Sequence, residues 1–150
     1  NLRKLGYDED LSVIFKHVKY AHISIGQMKN LELRKNIFQK LINIGFKMPT
    51  IISKKSIISK KNVNIGDGTI IMNNVTINCN TTIGENCIIN TGSIIEHDCN
   101  IKSHTHIAPG TIVNGSVRIG KQSFIGAGSV IKQNKVIKQK SFYPMISKIL

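Results

Sequence analysis

A mainly-β solenoid is the fold class that this 150-residue sequence predicts, and its repeat carries the prediction. Isoleucine or valine recurs at 65, 71, 77, 83, 89, 95, 101, 107, 113, 119, 125, 131 and 137, thirteen hexads without a slip. The fifth residue of each hexad, from Thr69 through Cys87, Cys99 and Ser129 to Ser141, is small or β-branched, with Lys135 the exception. Six helical steps of about 100° carry an apolar marker far round the cylinder, so the period excludes a helix. A fifth position and the next first position are two residues apart, which on a strand turns both side chains to one face. Each hexad therefore supplies a short strand with two inward anchors. Between first and fifth positions lie GDG at 66–68, NTG at 90–92, APG at 108–110 and GAG at 126–128, all turn chemistry. A chain that bends every six residues stacks its coils in parallel, each burying its anchors beneath the next.

The flanks read differently. Ile52 and Ile58 extend the pattern backwards with one extra residue before Ile65, so the coil domain is placed at 51–142. Residues 18–26, VKYAHISIG, predict a strand, and Asn30 predicts the cap of a helix carrying Leu33, Ile37, Phe38, Leu41 and Ile44 that stops at Gly45. Residues 1–50 are thus a partial α/β piece of Rossmann type, without a glycine-rich strand-to-helix loop and expected to begin inside a domain. With Lys135 at an inward position the repeat degrades, and 143–150 reads as a tail.

Composition narrows the function classes. The chain is 41% hydrophobic, enough for a packed core, and no run approaches the roughly 20 apolar residues of a spanning helix. The opening segment lacks the apolar centre of a secretory signal, so a soluble cytoplasmic protein without membrane contact is expected. Twenty-one basic against eight acidic residues give +13. Arginines are few, tryptophan is absent and the lysines are scattered, which favours a solvated basic surface over a nucleic-acid groove. Three cysteines without CxxC spacing argue against a disulfide framework or a zinc knuckle.

His97 is the residue best suited to chemistry. As third residue of its hexad it sits on a bend outside the coil, where an imidazole can act as a general base. Glu96 and Asp98 flank it, and either carboxylate could hold the far ring nitrogen. Cys99 is two residues from His97 but at an inward fifth position, like Cys87, so both read as core fillers rather than nucleophiles. Cys79 lies in a turn without a base. His106, at a sixth position, points outward from a flat face, and His104 reads as solvated. His97, His104 and His106 occupy third, fourth and sixth positions, which face different ways and predict no metal site of the gamma-class carbonic anhydrase kind.

EHDC at 96–99, HIAPG at 106–110 and FIGAG at 124–128 together resemble the hexapeptide-repeat sugar acetyltransferases of the sialic acid O-acetyltransferase and bacillosamine N-acetyltransferase family, over most of the chain and most strongly from 65 to 131. The resemblance implies a left-handed parallel β-helix with eighteen residues per coil. It also implies a homotrimer, acetyl-coenzyme A in a groove between neighbouring coils, and a sugar acceptor in bacterial surface-glycan biosynthesis. That acceptor is either the amino group of a nucleotide-linked sugar or a hydroxyl of sialic acid. His97 takes the family's base role, Asp98 is preferred as its orienting acid, and Glu96 is left on the substrate side with Asn90, which matches a sugar contact. Gly115, eighteen residues beyond His97, matches the amide that receives the oxyanion. His106, Gly115, Gly126 and Ala127 match the acetyl-coenzyme A side. The competing class is a non-catalytic trimeric coil, a scaffold or an inactive fragment, and a scaffold has no need of a histidine between two acids at a bend.

Overall fold

The computed structural model describes residues 4–27 and 30–150. Seventeen two-residue strands stack into three parallel sheets, the faces of a triangular coil of nearly six turns. The first face is Ile51–Ile52, Ile70–Ile71, Ile88–Ile89, His106–Ile107, Phe124–Ile125 and Phe142–Tyr143. The second is Ile57–Ile58, Thr76–Ile77, Ile94–Ile95, Ile112–Val113, Val130–Ile131 and Lys148–Ile149. The third is Asn64–Ile65, Thr82–Ile83, Asn100–Ile101, Arg118–Ile119 and Val136–Ile137. From Asn64 onward each residue pairs with the one eighteen places on, as in His106 with Phe124 and Arg118 with Val136. Ile51 pairs with Ile70 and Ile57 with Thr76, so the extra residue lies between Ile58 and Asn64.

The hexad positions divide the work of folding. First-position isoleucines from Ile71 to Ile131 form one continuous apolar column, at most 1% exposed. Fifth positions fill the corners with small groups, and their buried hydroxyls are satisfied fifteen residues on. Thr69 Oγ1 donates to the Gly84 carbonyl at 2.7 Å, Ser93 Oγ to that of Ala108 at 3.0 Å, and Thr105 Oγ1 to that of Gly120 at 3.2 Å. Cys99 Sγ reaches the Asn114 carbonyl in the same way at 3.2 Å, which places it inside the coil as its hexad position requires. The fourth position of every hexad from 62 to 146 has a positive φ, 52–63° in the residues with side chains and 66–69° in Gly68, Gly92, Gly110 and Gly128. That left-handed residue makes the bend, which is why asparagine, glycine and other polar residues occupy it in every hexad but the last, where Ile146 stands.

Three expectations need correction. The segment 143–150 is no tail: Tyr143 takes a first position above Ile125, and Ile149 stacks on Ile131, so the coil runs on. Lys135 tolerates its inward position by sending its ammonium to the Leu150 carbonyl. Residues 18–26 form no strand beyond a single parallel bridge, Tyr20 with Lys47. The carbonyls of Ile23 and Ile25 instead accept from Arg34 Nη1 at 2.7 and 2.8 Å, so a buried guanidinium replaces the neighbouring strand.

The helices are α1 (Leu11–Ile14) and α2 (Leu31–Ile44). Asn30 Oδ1 accepts from the Glu32 and Leu33 amides at 3.1 Å, and Gly45 ends α2 at φ 107°, as the sequence predicts. Arg34, Phe38 and Leu41 form its buried stripe, packed with Ile23, Phe46 and Met48 in a second, smaller core. Gln122 Nε2 donates to Glu32 Oε1 at 2.8 Å and ties the start of α2 to the coil.

Ile107 is fully enclosed at mid-coil. Ile107→Ala is expected to lower stability by about 2–5 kcal/mol in urea denaturation, whereas Val136→Ala on the exposed third face changes it by at most about 0.5 kcal/mol. Equal losses would contradict the assignment of the core.

Candidate active site

Eighteen-residue stacking places His97 at the corner between the second and third faces, one coil before Gly115. Two backbone bonds fix that register: the Glu96 amide donates to the Val113 carbonyl, and the Ser116 amide to the His97 carbonyl, both at 2.9 Å. The imidazole folds over Gly115 so closely that a Cβ there would lie 2.7 Å from Cε1 and 2.8 Å from Nε2. Only glycine permits this approach. The Gly115 amide has no acceptor among the described residues.

His97 Nδ1 and Asp98 Oδ2 are 2.6 Å apart. A carboxylate only accepts, so Nδ1 carries a proton and Nε2 is the ring nitrogen turned to Gly115. Asp98 can reach its neighbour because it is the left-handed corner residue, at φ 61°. The His97 bond and then a bond from Asn80 hold its carboxyl below the usual carboxylate range. Glu96 turns to the coil below, where Asn78 Nδ2 donates to Oε2 at 2.7 Å. Of the two flanking acids, Asp98 alone meets the ring. A polar groove of about 350 Å³ on the third face runs from Asn80 and Asp98 past Asn100 and Lys102 to Arg118.

Asn90, His106, Gly126 and Ala127 lie elsewhere, on the first face and its corner with the second. They line an apolar groove of about 380 Å³ with Ala108, Pro109, Phe124, Phe142 and Met145. The Phe124 and Phe142 rings stack at 5.0 Å between centroids, and His106 meets the Phe124 ring edge-on at 5.2 Å. Within one chain Gly115 is therefore parted from His106, Gly126 and Ala127, and Glu96 from Asn90, by the whole second face.

His106 points off the coil as its position requires, but the N-terminal piece buries it to 7% exposure. Its Nδ1 donates to the Gln27 carbonyl at 2.5 Å, which leaves Nε2 to accept from Asn90 Nδ2 at 3.2 Å. Burial lowers its pKa more than that carbonyl raises it. His104 is not solvated either: it packs edge-on against Phe38, lies 3.0 Å from Asn86 Nδ2 through Nδ1, and burial pushes its pKa down to about 4. Sequence reasoning missed both contacts because they come from residues some seventy positions away. It also missed Asn78 and Asn80, whose signal was present, since each stands eighteen before one of the acids flanking His97.

Cys87 and Cys99 are pushed up to about 12 and about 11 by burial, so neither offers a thiolate near neutrality. His97, His104 and His106 lie at one corner, another corner and a face. Among the described residues no group of three or more His, Cys, Asp or Glu could hold a metal ion, and no helix is long and apolar enough to cross a membrane.

Residues 62–97 and 98–133 each match the sequence model of the bacterial transferase hexapeptide (six repeats) family, so the repeat of this coil is that family's. A histidine variant of perosamine N-acetyltransferase from Caulobacter crescentus, solved with CoA and GDP-perosamine, superposes with a TM-score of 0.87 at 24% identity, over 95% of this chain and 68% of that one. The acetyltransferase domain of PglB from Neisseria gonorrhoeae FA1090, solved with acetyl coenzyme A, gives 0.85 at 24% identity over 93% and 68%. WeeI from Acinetobacter baumannii AYE gives 0.79 at 27% over 87% and 62%. These likenesses establish the architecture.

Burial keeps His104 neutral in the folded chain down to about pH 4, whereas the unfolded chain protonates it near 6.5. The stability it contributes is present above 6.5 and is lost as pH falls through that window. Nitrogen-15 NMR at pH 5.5 should find a neutral His104, and the urea midpoint of His104→Asn should fall less between pH 7 and 5 than that of wild type. A charged His104 ring at pH 5.5 contradicts this.

Proposed function

We propose that this chain, with its coil of bacterial transferase hexapeptide repeats, is an acetyl-coenzyme A-dependent N-acetyltransferase acting on a nucleotide-linked amino sugar in surface-glycan biosynthesis. The observation that carries the reading is the His97 corner: an imidazole whose Nδ1 is held by Asp98 lies against the unpaired amide of Gly115. The acceptor amine attacks the thioester carbon and forms the new C–N bond while Nε2 takes its proton. Charge on the thioester oxygen meets the Gly115 amide. Breakage of the C–S bond releases the thiolate, which takes the proton back from Nε2. An amine is favoured over the hydroxyl of sialic acid by the likeness to a structure holding GDP-perosamine.

The coil is read as left-handed and the assembly as a homotrimer. Ile94, Ile112 and Val130 form an outward apolar stripe on the second face, with Ile57 beyond Thr76 and 71% exposed. If that face lies on a threefold axis, its two edges meet the opposite edges of its neighbours. The His97 corner of one copy then lies beside the Asn90, His106, Gly126 and Ala127 groove of the next, and the parted residues line one cleft. Acetyl-coenzyme A would lie along the apolar groove. The N-terminal piece is read as part of the domain that takes the nucleotide sugar. The cytoplasm, where thiols stay reduced, suits the three free cysteines.

Thiol release from acetyl-coenzyme A with nucleotide-linked amino sugars tests the reading. His97→Ala should lower kcat by about 10²–10⁴. Gly115→Ala should lower it at least about tenfold, because the added methyl displaces the ring. Wild-type rates in His97→Ala, or a trimer by sedimentation that turns over no such acceptor, would favour the scaffold.

A further inference from the structure

The corner one coil below His97 carries a residue that the reaction as described does not use. Asn80 Nδ2 lies 3.1 Å from Asp98 Oδ1, the oxygen that does not touch the ring. Asp98 Oδ2 lies 2.6 Å from His97 Nδ1. Because an ionised carboxylate only accepts, Asn80 must present its amide N–H₂ there, and its own Oδ1 then faces down, 3.2 Å from Asn62 Nδ2. The bonds run one way, Asn62 to Asn80 to Asp98, with His97 donating to the same carboxylate from the other side. Asn62, Asn80 and Asp98 are all left-handed corner residues eighteen apart, at φ 52°, 56° and 61°, so the stacking of the coil aligns them. Two residues back, Asn78 holds Glu96 on the lower coil, which leaves Asp98 the sole carboxylate at the imidazole.

We propose that Asn80 is a positioning residue: by donating to Asp98 Oδ1 it sets the rotation of that carboxylate, so that Oδ2 meets His97 Nδ1 and the ring's Nε2 is held over Gly115. All three side chains are exposed, and a carboxylate free to rotate in water would hold the ring only part of the time. The contribution to turnover rests on the acetyltransferase reading above; the contribution to Asp98 does not.

The test uses variants that keep the corner's backbone. Glycine and aspartate both tolerate the left-handed conformation. Asn80→Gly removes the amide. Asn80→Asp keeps the shape but sets an acceptor and a like charge against Asp98. Asn134→Gly, at the same corner two coils above His97's own, is the control. The expected order of kcat is wild type and Asn134→Gly together, then Asn80→Gly lower by about three- to ten-fold, then Asn80→Asp lower still, with little change in the KM for acetyl-coenzyme A. A merely structural role would rank the isosteric Asn80→Asp nearer to wild type than Asn80→Gly. Carbon-13 NMR of the Asp98 carboxyl, also flanked by Lys61, should show its titration midpoint moving up in both Asn80 variants and not in Asn134→Gly. Nitrogen-15 NMR of His97 should show the Nδ1–H tautomer losing population in step. An unmoved Asp98 midpoint, or wild-type kcat in Asn80→Asp, overturns the proposal. A wild-type protein without turnover sinks the acetyltransferase reading instead, and the two NMR measurements then decide whether Asn80 holds Asp98.

Discussion

Everything in this molecule depends on one constraint: a coil closes after eighteen residues, so residue i lies against residue i + 18 at the spacing of hydrogen-bonded strands. The constraint is met by a left-handed residue at the fourth place of each hexad and a large anchor at the first. Three chemically unrelated demands are satisfied by the same stacking. Apolar anchors make a continuous column, buried hydroxyls find the carbonyls of the next coil, and polar side chains outside the corners form ladders. The imidazole over Gly115 is one such ladder position, with glycine supplying the room.

The same geometry limits what one chain can do. A triangular coil points its corners three ways, so groups at different corners stay apart however well each is placed. His97, Asp98 and the Gly115 amide share one corner. The apolar groove beneath Phe124 and Phe142 belongs to another. The second face between them carries Ile94, Ile112 and Val130 outward.

How much of this was legible follows from the range of the forces involved. The hexads, the inward cysteines, and the α2 cap at Asn30 and stop at Gly45 are local or periodic, and each could be read from the chain. Choosing Asp98 over Glu96 needed a side-chain rotation, and the structure decides it through φ at Asp98 and through Asn78, which draws Glu96 away. The contacts on His104 and His106 were invisible because Phe38 and Gln27 meet the coil only after the N-terminal piece folds down on it. The strand expected at 18–26 failed for a related reason. Arg34 satisfies the carbonyls a partner strand would have taken. At the far end, Tyr143 in place of isoleucine and Lys135 in place of a small residue hid two more strands that the register still enforces.

The central claim is that the amide of Gly115 and Nε2 of His97 flank the carbon that is transferred. A crystal structure with acetyl-coenzyme A bound tests it most directly. The account predicts the thioester oxygen about 2.9 Å from the Gly115 nitrogen, with the sulfur and pantetheine chain running into the groove of Gly126 and Ala127 on a neighbouring copy. A thioester bound away from the His97 corner, or wholly within one chain's groove, would contradict it.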